Sequence, residues 1–258
     1  MPMNHYLLLQ CRLTDDPMRF HEQECVQRAL NCAPEHMTVV NLSERLPTEQ
    51  EIQASSAILI GGSGAFHIYD KVDWIERALV YFSGLLRRID RPILGMCFGH
   101  QALLKASGAQ VGNDPEREEL GTYELEVTEE GRSDQLFGEL PERFYVQLGH
   151  VDRAFDLPQG WLGLASSESQ PYQAVRLAGY PVWGFQFHAE LRMEDNLHRV
   201  RHYADHYGAA REEVFDQLKA KHRPSPVGAQ IMRHFARIVS EYWENPTCVE
   251  SPPPSVSL

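Results

Sequence analysis

Pro92-Ile93-Leu94-Gly95-Met96-Cys97-Phe98-Gly99-His100-Gln101 reads as a buried strand that runs straight into a helix. The apolar run Pro92 to Met96 supplies the strand, and the helical residues after Phe98 continue until Gly108 stops them. Small residues stand two before and two after Cys97. That spacing suits a nucleophile elbow, in which a strained turn holds the reactive side chain clear of the backbone. The helix N-terminus favours a thiolate over a thiol. The N–H of Phe98 points to where an oxyanion would form. Taken alone, the same residues also describe a structural cysteine beside two packing glycines.

Working outward, strand and helix signals alternate on the N-terminal side. His5 to Leu9, Met37 to Leu42 and Ala57 to Ile60 are short apolar or β-branched runs. Residues 17 to 32 carry a helical pattern, and residues 70 to 89 carry a clearer one. In the latter, Val72, Ile75, Leu79, Phe82, Leu86 and Ile89 recur in steps of three and four, forming one apolar stripe. Such alternation implies parallel strands joined by right-handed crossovers. An α/β fold with an open, doubly wound, largely parallel sheet and helices on both faces is expected, with its ligand at the carboxyl ends of strands. The second half is richer in strands: Thr122 to Thr128, Phe144 to Leu148, Trp161 to Ala165, Gln173 to Leu177 and Val182 to Phe187. Helices are expected over Met193 to Tyr207, 211 to 222 and 227 to 243. We expect one domain over residues 1–245, with a core of about 5–207 and a helical extension over 208–245. The Pro-rich tail 246–258 is expected to be disordered.

Among the 258 residues, 43% are apolar and 23% charged, ordinary for a globular protein. The formal net charge of -12 argues against nucleic acid and against an anionic membrane surface as partners. Met1 to Leu9 lacks the basic and long apolar regions of a signal peptide. The five cysteines form no CxxC pair, so free thiols in a reducing cytoplasm are expected. His198, His202 and His206 would share one helix face, a spacing compatible with a metal. Arg199, Arg201 and Asp205 interleave them as on a solvated face, and we assign no metal.

A general base for Cys97 must come from elsewhere. In Phe185-Gln186-Phe187-His188-Ala189-Glu190, apolar residues lead to His188 at a strand end, and Glu190 two residues on would point the same way. A carboxylate there could orient the imidazole and stabilise its charged form; a surface His beside a surface Glu is the plain alternative. Leu59-Ile60-Gly61-Gly62-Ser63-Gly64 follows a strand. It could be a phosphate cradle, an oxyanion loop or a turn, and it lacks the Lys-Ser/Thr of a P-loop.

Four segments in order resemble the class I glutamine amidotransferases. Gly95-x-Cys97-x-Gly99-x-Gln101 resembles the family's nucleophile motif, and Gly61-Gly62 its oxyanion loop. Gly149-His150-Val151-Asp152 resembles its Ser-His-Gly-Asp segment, and Phe185 to Glu190 its Phe-Gln-Phe-His-Pro-Glu motif. The resemblance covers roughly residues 5 to 205. It implies a flavodoxin-like sheet and a Cys97–His188–Glu190 triad, with the N–H groups of Gly62 and Phe98 as the oxyanion hole. It also implies a γ-glutamyl thioester intermediate and substrate contacts from Gln101, Gly149, His150 and Val151. No metal or organic cofactor is implied.

Two departures bear on this. Ala189 replaces the family's proline, and Gly149 and Val151 replace its serine and glycine, so a valine side chain enters a segment that elsewhere uses backbone. The chain shows no P-loop or nucleotide fingerprint after Tyr207. Ammonia would then pass to a separate synthetase or synthase subunit, or the protein would act alone as a γ-glutamyl peptidase or γ-glutamyl amine hydrolase. A non-catalytic binding protein on this fold would have no need of the complete triad.

Other residues carry weaker expectations. Trp74, Trp161, Trp183 and Trp243 suit the core or an interface, and Trp183 could wall the pocket. Tyr69 and Asp70 could lie near the site, and His67 and Tyr69 near the substrate mouth, with a plain surface position as the alternative. Cys11, Cys25, Cys32 and Cys248 have no elbow context, and Glu116 to Glu119 reads as a solvated loop.

Overall fold

The computed structural model describes residues 4–205 and 211–244. The strands are β1 (Tyr6–Gln10), β2 (Met37–Asn41), β3 (Ala57–Ile60), β4 (Ile93–Met96), β5 (Val111–Asn113), β6 (Glu119–Val127), β7 (Arg143–His150), β8 (Asp152–Ala154), β9 (Trp161–Ser166), β10 (Ala174–Leu177) and β11 (Val182–Phe185). The helices are α1 (Met18–Leu30), α2 (Glu49–Ala54), α3 (Asp73–Leu86), α4 (Phe98–Ala106), α5 (Glu129–Arg132), α6 (Met193–His202), α7 (Glu212–Ala220) and α8 (Pro226–Glu244).

Nine strands form one sheet in the order β2-β1-β3-β4-β11-β10-β9-β6-β7. The first five pair in parallel, and the pairings from β11 through β7 are antiparallel. This is the open, doubly wound α/β sheet expected, and the additional strands extend it along one side. β5 and β8 form a separate two-stranded sheet.

Alternation along the strands divides the core in two. Tyr6, Leu8, Leu59 and Leu94 face one side, where α1 and α8 pack. Leu7, Leu9, Ile58 and Ile93 face the other, where α3 and α4 pack. Strands covered on both faces read as continuous apolar runs, which is why the N-terminal strands were legible. Trp183 belongs to the first core. Its ring meets Phe235 edge-on, and its indole N–H donates to Asp134 at 3.3 Å, so it does not wall the pocket. Trp74 and Trp161 are buried, and Trp243 is partly exposed.

The expected elements are present with ends moved by a few residues. Four short ones were not anticipated: α2, α5, β5 and β8. The strand expected through Phe187 ends at Phe185. Glu119 is no solvated loop residue; it begins β6 and is 1% exposed. His206, Cys248 and the Pro-rich tail lie outside the described residues.

Candidate active site

Adjacent parallel strands that end side by side build the site. β4 and β11 are in register with Met96 opposite Phe185, and the Cys97 N–H donates to the Phe185 carbonyl at 2.7 Å. Cys97 therefore leaves β4 beside the segment that carries His188. It holds φ 51° and ψ -104°, a left-handed conformation unusual for a residue with a Cβ. Close packing imposes the turn. A Cβ on Gly99 would lie 2.4 Å from the Ile60 carbonyl oxygen, and one on Gly95 would lie 2.6 Å from the Gly99 backbone. Cys97 is 6% exposed. Phe98 opens α4, and its N–H is among those a helix start leaves without an intrahelical acceptor.

His188 is fixed by its backbone: its N–H donates to the Gln147 carbonyl at 2.9 Å, a bridge that ties the far strand β7 to the end of β11. The antiparallel strands therefore curl back over the site. His188 Nδ1 lies 2.8 Å from Glu190 Oε1, and Arg199 of α6 donates to the same oxygen at 3.1 Å. All three side chains are buried. Burial opposes the charged imidazole, but Glu190 and the hydrogen bond and charge of Cys97 outweigh it and hold His188 up at about 9. Burial likewise opposes the Glu190 carboxylate, yet His188 and then Arg199 bring it down to about 2. The structure thus joins Cys97, His188 and Glu190, the three residues singled out from three positions in the sequence.

The Gly61–Gly62 loop closes one side. A Cβ on Gly62 would lie 2.8 Å from His188 Cε1 and 3.7 Å from Cys97 Cβ. Its N–H, expected to face an oxyanion, donates here to Glu22 Oε1 at 3.2 Å. Glu22 is fully buried on α1 and also accepts from Gln10 and, through both oxygens, from Arg12. Arg12 in turn donates to Tyr203. Sequence patterning gave no sign of this network, because Gln10, Arg12 and Glu22 come from a strand end and a helix, and Gly62 and Tyr203 join them from 40 and 191 residues away.

Gln101, Gly149, His150 and Val151 line one cavity with Cys97 and Phe98, and His67 stands at its edge. Gln101 spends its amide N–H groups on the Asp152 carbonyl at 2.9 Å and Gln186 Oε1 at 3.2 Å, and the Gln186 amide approaches Cys97 Sγ at 3.8 Å. His150 Nε2 lies 2.9 Å from Glu119 Oε2, and its Nδ1 lies 3.0 Å from the Asp152 carbonyl oxygen. Burial opposes charge on Glu119, but His150, Ser167 and Ser169 outweigh it and hold the carboxyl below its usual range. The Asp152 carboxylate gathers His67 Nδ1 at 2.5 Å, the Tyr69 hydroxyl at 3.0 Å and the Asn113 amide at 3.2 Å. His67 therefore lines the cavity, Tyr69 reaches it only through Asp152, and Asp70 caps the His67 N–H. Gln186, Asp152 and Arg199 were missed as site residues, though the first two stand inside the motifs already quoted. Of the helical histidines among the described residues, His198 packs on His21 and His202 lies 3.4 Å from Asp16, so the two turn to different partners.

An open α/β sheet with a cysteine elbow and a buried histidine–carboxylate pair defines a class of cysteine-dependent hydrolases and transferases. Within it, the model of the class I glutamine amidotransferase family matches residues 22–202, and the chain belongs to that family. It is 33% identical over 142 residues to a glutamine-hydrolysing GMP synthase of Thermosipho africanus, covering 55% of this chain and 25% of that protein. It is 39% identical over 100 residues to one of the subunits of the glutamine-hydrolysing GMP synthase of Pyrococcus abyssi, covering 39% of this chain and 51% of that one. The chain thus spans only about a quarter to a half of these curated relatives. A glutamine amidotransferase of Thermotoga maritima shares the fold at TM-score 0.72 and 22% identity, over 92% of this chain and 99% of that one.

Proposed function

We propose that the protein hydrolyses the side-chain amide of glutamine or of a γ-glutamyl compound. The observation that carries this is the strained Cys97 beside the buried His188–Glu190 pair. Cys97 sulfur attacks the amide carbon, and a C–S bond forms as the carbonyl becomes an oxyanion. His188 delivers its proton to the leaving nitrogen, the C–N bond breaks, and ammonia or an amine departs. Water, deprotonated by His188, then cleaves the γ-glutamyl thioester and regenerates the thiol. Glu190 keeps the imidazole oriented. Phe98 N–H serves the oxyanion directly. Gly62 N–H joins it by exchanging Glu22 for the oxyanion. Gln101, Gly149, His150 and Val151 shape the substrate cavity.

Two readings of the leaving group have separate support. The relatives that are subunits of glutamine-hydrolysing enzymes support ammonia transfer to a separate synthetase or synthase chain. Val151 in the cavity wall supports a stand-alone γ-glutamyl peptidase or amine hydrolase. No helix among the described residues is long and apolar enough to cross a membrane. Cys11, Cys25, Cys32 and Cys97 are unpaired, and we infer a reducing cytoplasm.

A panel of glutamine, γ-glutamyl dipeptides and γ-glutamyl amines, read with mass detection of the acyl-enzyme, tests the proposal. Wild type is expected to accumulate an adduct at Cys97, and Cys97→Ala is expected to lose about 10⁴-fold or more in kcat/KM. Equal turnover by the two proteins, or none by wild type on any γ-glutamyl amide, would overturn it. Turnover of glutamine alone supports the ammonia donor; turnover confined to peptides or amines supports the stand-alone enzyme.

A further inference from the structure

α1 and α6 meet at a seam whose side chains do not line the cavity beside Cys97, and each presents a pair of metal-ligating side chains at helical spacing. His21 and Cys25 stand at i and i+4 on α1; Asp195 and His198 stand at i and i+3 on α6. Cys25 Sγ lies 3.6 Å from His21 Nε2, and His21 Nε2 lies 3.8 Å from Asp195 Oδ1. Ligand atoms of these three residues all lie within 4.8 Å of one another. The His198 ring sits 4.9 Å from that of His21, centroid to centroid. Cys25 and Asp195 are buried, His21 is half-buried, and His198 stands exposed at the rim.

We propose that this seam binds one soft divalent cation of the zinc class through Cys25 Sγ, His21 Nε2, Asp195 Oδ1 and a ring nitrogen of His198. In a tetrahedral zinc site, sulfur and nitrogen ligands stand about 3.5 Å apart, and nitrogen and oxygen ligands about 3.4 Å. The observed 3.6 and 3.8 Å leave only tenths of an ångström to close; the Cys25–Asp195 edge, within 4.8 Å, and the His198 ring, 4.9 Å from that of His21, close by side-chain rotation on binding. A sulfur, two imidazoles and one carboxylate form a donor set that suits zinc rather than calcium or magnesium. The Cys25 thiol releases its proton to solvent as the metal–sulfur bond forms.

Asp195 also meets guanidinium groups. Its Oδ2 accepts from Arg28 and, at 3.1 Å, from Arg192 Nε, while Arg192 Nη2 stands 3.4 Å from Oδ1. The Arg192 side chain is largely exposed, so it can leave Oδ1 to the cation while Arg28 keeps Oδ2 oriented, as outer-shell partners do. The site would join two braces of the catalytic centre. Glu22, which holds the Gly62 N–H, lies between His21 and Cys25 on α1. Arg199, which holds Glu190, follows His198 on α6.

Cobalt and zinc titration of the full chain with Cys97→Ala tests the proposal without interference from the Cys97–His188 pair. After chelator treatment, Co2+ is expected to give a thiolate charge-transfer band in the near ultraviolet, saturating at one equivalent and bleached by Zn2+. Adding Cys25→Ser is expected to abolish the band and weaken zinc by more than the ~100-fold that outer-shell changes cost. His198→Asn, at the exposed rim, is expected to weaken zinc about 10-fold or more while leaving the near-UV circular dichroism of the apo protein unchanged. Absence of the band with Cys25 intact, or a band that survives Cys25→Ser, would overturn the proposal. So would zinc binding that neither variant alters.

Discussion

Cys97 and His188 are each defined by what surrounds them. The left-handed backbone at Cys97 persists because Gly95 and Gly99 let α4 pack onto β3 and β4 without a Cβ in the way. His188 shows the electrostatic side. Its pKa of about 9 stands above the ordinary imidazole value of 6.5, so its protonation favours the folded state. That stabilisation is whole below about pH 6.5 and is lost as pH rises through about 9. For Glu190 the sign reverses: its contribution is present above about pH 4.5 and is lost as pH falls through about 2. At 1.36 kcal/mol for each pKa unit, the alkaline arm amounts to about 3 kcal/mol. Unfolding free energy measured against pH should fall by that order between about pH 6.5 and 9 in wild type, and should not do so in His188→Gln. Cys97, His188 and Glu190 were legible because each lies in a short contiguous motif. Glu22 and Arg199 were not, because their roles arise only when α1 and α6 dock.

At the scale of elements, α1 is both a cover for the sheet and a support for the Gly61–Gly62 loop. Glu22 projects from it beneath that loop, meets Arg12 through both carboxylate oxygens, and takes the Gly62 N–H. A buried pair of this kind stabilises little relative to an apolar substitute, but removing one partner strands the other charge. Glu22→Ala should therefore cost about 3–5 kcal/mol in urea unfolding. Because Arg12→Ala removes the same contact, the double variant should cost markedly less than the sum of the two singles. Elements were readable in proportion to their length and periodicity. The stripe on α3 and the apolar runs of β3 and β4 announced themselves. β5 and β8, at three residues each, have too few positions to show alternation. α2 carries its signal in a cap rather than a stripe: Thr48 and Glu51 form a capping box over six residues, none of them buried.

On the scale of the whole molecule, the two faces of the sheet are closed by different parts of the chain. α3 and α4 cover one face from within the first half. α1 covers the other only in part, and α8 completes it by placing Ile231, Met232, Phe235, Ile238 and Val239 in the same core as Trp183 and Phe185. The family match ends at residue 202, yet the first core is not closed there. The sequence described this region as an extension; its burial makes it part of the packing. Phe235 and Ile231 are fully buried, and each large side chain lost from such a place costs about 2–5 kcal/mol, so five together approach the entire stability of an ordinary domain. A chain ending at residue 225 should lose its near-UV circular dichroism and bind a hydrophobic dye while keeping much of its far-UV signal. A cooperative, wild-type-like thermal transition in that truncated chain would show instead that α8 is dispensable, and that the sheet tolerates an open face beside Trp183.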